Sequence, residues 1–152
     1  MSTRAPLSIT WIRSGKLAIG PIPINNHQWE SLSNHGIRSV LSCCAANEAD
    51  WSPPTLWEQR RISLSDHRDP DALQPDHLAQ AIDMAIELWT MAPPLYLHCY
   101  AGQERSPLVA IGALCRKENL DLFEALAQVK RLHPRTKPLT QHLVLLDELL
   151  KQ

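Results

Sequence analysis

Residues 98–106 read His98-Cys99-Tyr100-Ala101-Gly102-Gln103-Glu104-Arg105-Ser106, a thiol and a guanidinium six positions apart. The apolar Leu95–Leu97 precedes them, and Ser106-Pro107 opens an apolar run to about Lys117, so the spacing predicts a loop turning from strand into helix. Such a loop points successive backbone N–H groups into one concavity, and the helix N-terminus adds partial positive charge. Gly102 lets the chain turn or approach a ligand with no Cβ in the way. A tetrahedral oxyanion such as phosphate matches this cradle. The backbone of Tyr100, Ala101, Gly102, Gln103, Glu104 and Arg105 would surround it, and the planar fork of Arg105 would grip two of its oxygens.

Cys99 is expected at the centre of the cradle, where the helix N-terminus, the amides and Arg105 all favour the ionised thiol. A thiolate aimed at phosphorus ~3 Å away is a nucleophile ready for covalent catalysis. The same donors would stabilise the equatorial oxygens of a transition state. His98 is expected to order the loop by hydrogen bonding rather than to act as a base. The Cys–Arg spacing can arise by accident; Gly102, Ser106 and the strand–loop–helix context give it weight.

The elements that must position this loop alternate between strand and helix. Lys16–Gly20 reads as a strand stopped by Pro21-Ile22-Pro23, and Asn26–His35 as a helix closed by Gly36. Ile37–Ser42 and Arg61–Ser65 alternate apolar and polar residues as strands do. Pro75–Met91 is a helix with proline at its first position and Leu78, Ile82, Ala85, Ile86 and Trp89 on one face. Amphipathic helices at about Asp121–His133 and Thr140–Lys151 close the chain. This order predicts an α/β domain with a mainly parallel central sheet, flanking helices and a helical C-terminal part. Ligands bind such sheets at the carboxyl ends of the strands, where the loops after Ser42, Ser65 and Leu97 gather.

Composition sets the outer bounds. A chain of 152 residues, 44% hydrophobic and 20% charged, suits one folded domain over 1–152. Fifteen basic against sixteen acidic residues give a net charge of -1, so no global field draws the chain to nucleic acid or to a membrane, and neither is an expected partner. An anion site must be built locally. Met1–Arg13 shows no signal-peptide pattern, and the apolar Pro107–Cys115 is far short of the ~18 residues of a membrane span. Cys43, Cys44, Cys99 and Cys115 form no disulfide framework, and no CxxC or HxxxH pair offers metal-ligand spacing. A reducing, cytoplasmic setting is the expectation, with no metal or cofactor. The oligomeric state is left open.

HCYAGQERS resembles the HCxxGxxR[ST] loop of the cysteine-dependent protein tyrosine phosphatases, and the chain resembles their small dual-specificity branch. KLAIG with NHGIRSVLS resembles the family's first strand, helix and second strand; ISLSD with the long helix after it resembles the general-acid loop and its successor; ENLDLFEALAQVKRLHP resembles the helix after the active-site one. The resemblance implies metal-free phosphoester hydrolysis in two steps through a phosphocysteine at Cys99, with Arg105 holding the phosphoryl oxygens. It implies that Ser106 eases departure of the thiolate and that His98 tunes the nucleophile's surroundings. The leaving oxygen needs a proton, and Asp66, the first acid after the strand, falls where the family's general acid would. Asp69 and Asp71 are the alternatives, with helix-entry capping or a solvated acidic loop as their plainer roles. His67 and Arg68 would line the mouth.

Glu104 departs from the pattern, because a small residue is common there and an acid in an anion cradle opposes phosphate. The variable positions Tyr100, Ala101, Gln103 and Glu104 hold no added cation, which disfavours a polyphosphorylated inositol lipid. The basic run Lys130–Lys137 reads as cations completing a helix C-terminus, with contact to an acidic substrate as the sharper alternative. Trp11, Trp29, Trp51, Trp57 and Trp89 read as core or core-edge residues. Cys44, with Cys43 as alternative, would form a reversible disulfide with Cys99 under oxidation, a protection some relatives use; two small buried residues is the plainer reading. The expected substrate is phosphotyrosine in a protein, with phosphoserine or phosphothreonine as further candidates. The rivals are a non-protein phosphoester (RNA end, lipid or sugar phosphate), a catalytically silent phospho-binding module and, more distantly, a sulfurtransferase.

Overall fold

The structure, a computed structural model, describes residues 7–48, 52–69 and 71–152. Five strands and five helices follow in the order β1 (Thr10–Arg13), β2 (Leu17–Gly20), α1 (Asn26–Asn34), β3 (Ser39–Ser42), β4 (Glu58–Arg61), α2 (Pro75–Met91), β5 (Leu95–His98), α3 (Arg105–Glu118), α4 (Leu122–Leu132) and α5 (Thr140–Leu150). The sheet order is β1-β2-β5-β3-β4, antiparallel between β1 and β2 and parallel elsewhere. The strand that feeds the Cys99 loop is therefore the central one.

Period-two alternation decides what each face of the sheet meets. Leu17, Ile19, Leu41, Leu95 and Leu97 pack with α2 through α5, whereas Ala18, Val40 and Tyr96 pack with Trp29 and Leu32 of α1. Helix α3 is buried from Arg105 through Cys115, which explains an apolar sequence with no polar face. The Asn25 side chain caps α1 by accepting the Gln28 N–H at 2.9 Å, and Gly36 follows that helix at φ +85°.

The expected α/β architecture is the observed one, with two local differences. The strand expected at Arg61–Ser65 pairs instead at Glu58–Arg61. As an edge strand it needs no apolar alternation; the buried Ile62 and Leu64 lie just beyond it, donating to Ser42 O at 2.9 Å and Cys43 O at 3.1 Å. Strand β1 was not foreseen, since four residues joined to β2 by a tight turn leave little periodic signal. Trp29 and Trp89 are buried, Trp11 and Trp57 are packed at the edge of the α1-side core, and Trp51 lies outside the described residues. Among the described residues no helix is long and apolar enough to cross a membrane.

Candidate active site

The loop from β5 to α3 is held open from outside. Tyr100 O accepts the Ile22 N–H at 3.1 Å, and Gln103 O accepts the Lys137 N–H at 2.7 Å. Gly102 O accepts from His133 Nε2 at 2.7 Å; a carbonyl only accepts, so Nε2 carries the hydrogen and Nδ1 can take the Thr10 hydroxyl at 2.6 Å. With these carbonyls turned outward and bonded, the loop's amides are left to face its hollow. Gly102 sits at φ +72°, and a Cβ there would stand 2.7 Å from Gly20 C and 2.9 Å from Pro21 N. Tyr96 braces the same segment, its hydroxyl donating to Pro21 O.

Cys99 directly follows β5 at the floor of the hollow, 2% exposed, with Sγ 3.3 Å from Ser106 Oγ. His98 is wholly buried, stacked on Tyr96 at 5.7 Å between ring centroids, with Nδ1 3.3 Å from Cys99 O. Burial pushes its imidazole down to about 4, so it is neutral near neutrality and orders the backbone of the nucleophile.

Arg105 is 2% exposed and fixed by a residue that sequence reasoning missed. Glu48, on the loop after β3, meets it edge to edge, Nη1 to Oε1 at 2.9 Å and Nη2 to Oε2 at 3.0 Å. Nη1 also donates to Cys43 O at 3.1 Å and Leu64 O at 3.2 Å. Burial works to raise the Glu48 carboxyl, but Arg105, the Ala45 N–H and Arg68 outweigh it and hold it at about 2. Glu48 uses the Nη1–Nη2 edge of the guanidinium, so the Nε–Nη2 edge is the one a phosphoryl group can take.

Asp66 reaches this network from the loop after β4. Its Oδ2 accepts Arg68 Nε at 2.8 Å and lies 3.4 Å from Arg105 Nη2, while Oδ1 accepts the Arg68 N–H at 2.9 Å. Burial opposes ionisation, yet Arg68 and Arg105 prevail and hold the carboxyl below its ordinary range. Asp69 shapes the turn, its Oδ2 accepting the Asp66 N–H at 2.8 Å, and Asp71 is exposed. Asp66, His67 and Arg68 face residues 99–101 and 103–105 across a cavity of about 250 Å³. Arg68 lies 5.3 Å over the Tyr100 ring at the lip.

The Glu104 carboxylate is taken up across the cavity, where it accepts the His67 N–H at 3.1 Å and pairs with the His67 ring. Lys130 and Arg131 occupy the last turn of α4, whereas His133 belongs to the bracing of the loop described above. All four cysteines are free thiols. Cys43 and Cys44 lie past the end of β3, where strand alternation no longer sorts them, and both sense Cys99 electrostatically; Cys43 also shares its packed cluster. Burial pushes Cys43 well up and Cys44 up to about 12.

The sequence and the fold of the chain, a mainly parallel sheet with five helices, both match known proteins. A dual specificity protein phosphatase of Arabidopsis thaliana, PHS1, is 28% identical over 110 residues, 71% of this chain. The chain spans 12% of that relative's length. A mouse putative dual specificity phosphatase complexed with zinc tungstate superposes at a TM-score of 0.80 with 20% identity, covering 99% of this chain and 91% of the other. PTPMT1 in complex with PI(5)P superposes at 0.77 with 20% identity over 92% of both chains. The fold is that of the cysteine-dependent protein tyrosine phosphatases. No family model matches the chain, so its likeness to their small dual-specificity branch rests on these relatives and on the Cys99–Arg105 loop.

Proposed function

We propose that the chain is a cysteine-dependent phosphatase that hydrolyses phosphotyrosine in proteins, and phosphoserine or phosphothreonine as further substrates. The observation that carries this reading is the convergence of Cys99 and Arg105, from the loop between β5 and α3, with Asp66, from the loop after β4, on one cavity. The Cys99 thiolate attacks phosphorus as the bond to the leaving oxygen breaks, and Asp66 gives that oxygen its proton. Arg105 and the loop amides take the charge on the equatorial oxygens. Water, deprotonated by Asp66, then attacks the phosphocysteine; the S–P bond breaks while Ser106 Oγ donates to the departing sulfur.

Asp66 must hold a proton when it is needed. A phosphoryl dianion engaging Arg105 offsets the cationic grip on Asp66 and adds negative charge beside it, and both effects raise its proton affinity. Substrate binding thereby loads the acid.

A non-protein phosphoester is the second reading, favoured by the structural likeness to PTPMT1, solved with a phosphoinositide. Against it, the loop offers no cation besides Arg105, and Arg68 is engaged by Asp66 and Glu48. The deciding experiment follows 4-nitrophenyl phosphate turnover in EDTA, then phosphotyrosyl peptides against phosphoinositides. Vanadate-sensitive activity that is lost in Cys99→Ser and much reduced in Asp66→Asn is expected. A wild-type protein inert on every ester but able to bind phosphate overturns the enzyme reading and leaves a binding module.

A further inference from the structure

We propose that Glu104 is a positioning residue for the general acid: by clasping His67 across the cavity, it fixes the loop that carries Asp66 against the phosphate cradle. The inference rests on the phosphatase reading. Glu104 occupies the N-cap position of α3, where a side chain ordinarily accepts an N–H of its own helix, yet it makes no such bond. Its carboxylate spans 37 positions of chain instead, to the backbone N–H and the ring of His67, the residue directly after Asp66.

Other restraints on that loop act differently: the pair of Arg68 Nη2 with Glu48 Oε2 at 2.8 Å ties it to the loop after β3 and not to the cradle. Asp69 and the Arg68 N–H bond within it and set its internal shape. The contact between Asp66 and Arg105 uses the guanidinium that phosphate itself needs, so substrate loosens it. The side-chain clasp between Glu104 and His67 involves no group that grips the phosphoryl oxygens, and it persists while the acid works. It also gives the unexpected carboxylate an N–H partner in place of an anion to repel.

Two opposing effects make the role measurable. Removing the carboxylate frees the acid loop and lowers kcat, while it also removes a negative charge from the lip of an anion site and does not raise KM. A damaged cradle would raise KM. Glu104→Ala, Glu104→Gln and His67→Ala are to be compared with wild type on phenyl phosphate, whose leaving group needs a proton, and on 4-nitrophenyl phosphate, whose leaving group needs it less. The expectation for Glu104→Ala is a kcat/KM, which reports phosphorylation and not the hydrolysis step common to both esters, about tenfold lower on phenyl phosphate and within about twofold on 4-nitrophenyl phosphate, with KM equal or lower on both. Glu104→Gln, whose amide oxygen still accepts the His67 N–H, recovers most of the loss, and His67→Ala falls between. Hydrogen exchange of the His67 amide, read without turnover, is faster in Glu104→Ala. Equal losses on the two esters, a raised KM, or unchanged exchange at His67 overturns the proposal. A wild type inert on both esters sinks the phosphatase reading and the catalytic role with it, while the exchange measurement still decides whether the clasp exists.

Discussion

Arg105 and Glu48 meet edge to edge in the shelter of two backbone carbonyls, those of Cys43 and Leu64. That arrangement fixes the plane of the guanidinium before any anion arrives, so its fork needs no reorientation. Glu48→Gln keeps the shape but gives up the charge and one acceptor. A loss of about ten- to a hundredfold in kcat/KM is expected, with weaker binding of tungstate measured by calorimetry. Arg105→Lys is expected to lose more, because one ammonium cannot serve Glu48, two carbonyls and a phosphoryl group together.

The pH dependence of stability follows from His98. Burial holds its imidazole at about 4 in the folded chain, against about 6.5 when unfolded. Between those values the unfolded chain binds the extra proton, so stability falls as pH drops from about 6.5 toward 4. His142, also lowered by burial, adds to the same trend. Glu48 acts further down: its carboxyl is held at about 2, so its contribution is complete above roughly 4.3 and is lost as pH falls from there toward 2. Urea unfolding between pH 7 and 4.5 is expected to show a slope that His98→Gln flattens. An unchanged slope would exclude His98 as its source.

Gly102→Ala tests the close approach of loop and strand. The new methyl would meet the backbone of Gly20 and Pro21 in a conformation that L residues rarely adopt. Destabilisation of about 1–3 kcal/mol and loss of tungstate binding are expected, read by thermal unfolding with and without the oxyanion.

His133→Ala removes a brace from behind the cradle and leaves the buried Gly102 carbonyl without its donor. A cost of about 1–3 kcal/mol is expected, with a lower kcat/KM although the residue does not line the cavity. Thr10→Val, which keeps the His133–Gly102 bond, is expected to cost less.

The Cys99–Arg105 loop was legible because its chemistry is consecutive: strand, thiol, glycine, guanidinium and helix start lie within a dozen positions. Gly36, closing one helix, and Pro75, opening another, were legible for a similarly local reason. Glu48 was not legible, because its tie to Arg105 spans 57 positions and its own surroundings, Ala45-Ala46-Asn47, carry no pattern. Its one clue was its place after a strand's carboxyl end. His133 was hidden in a basic run whose cations suit a helix end, and its bond to Gly102 O spans 31 positions. Glu104 stood out as an anomaly, but only the folded chain could say that His67 receives it. The strand near residue 60 was placed too late because an edge position relaxes the alternation on which strand reading depends.

The carbonyl anchors at Tyr100, Gly102 and Gln103 tie the cradle to Ile22 near one end of the chain and to His133 and Lys137 near the other. The cradle is thus braced by both distant segments together, which makes anion affinity a property of the fully docked chain. An oxyanion therefore selects the completed molecule over every partly assembled form. By mass action, tungstate or vanadate raises the melting temperature and slows proteolysis, and a partly folded chain gains nothing from either.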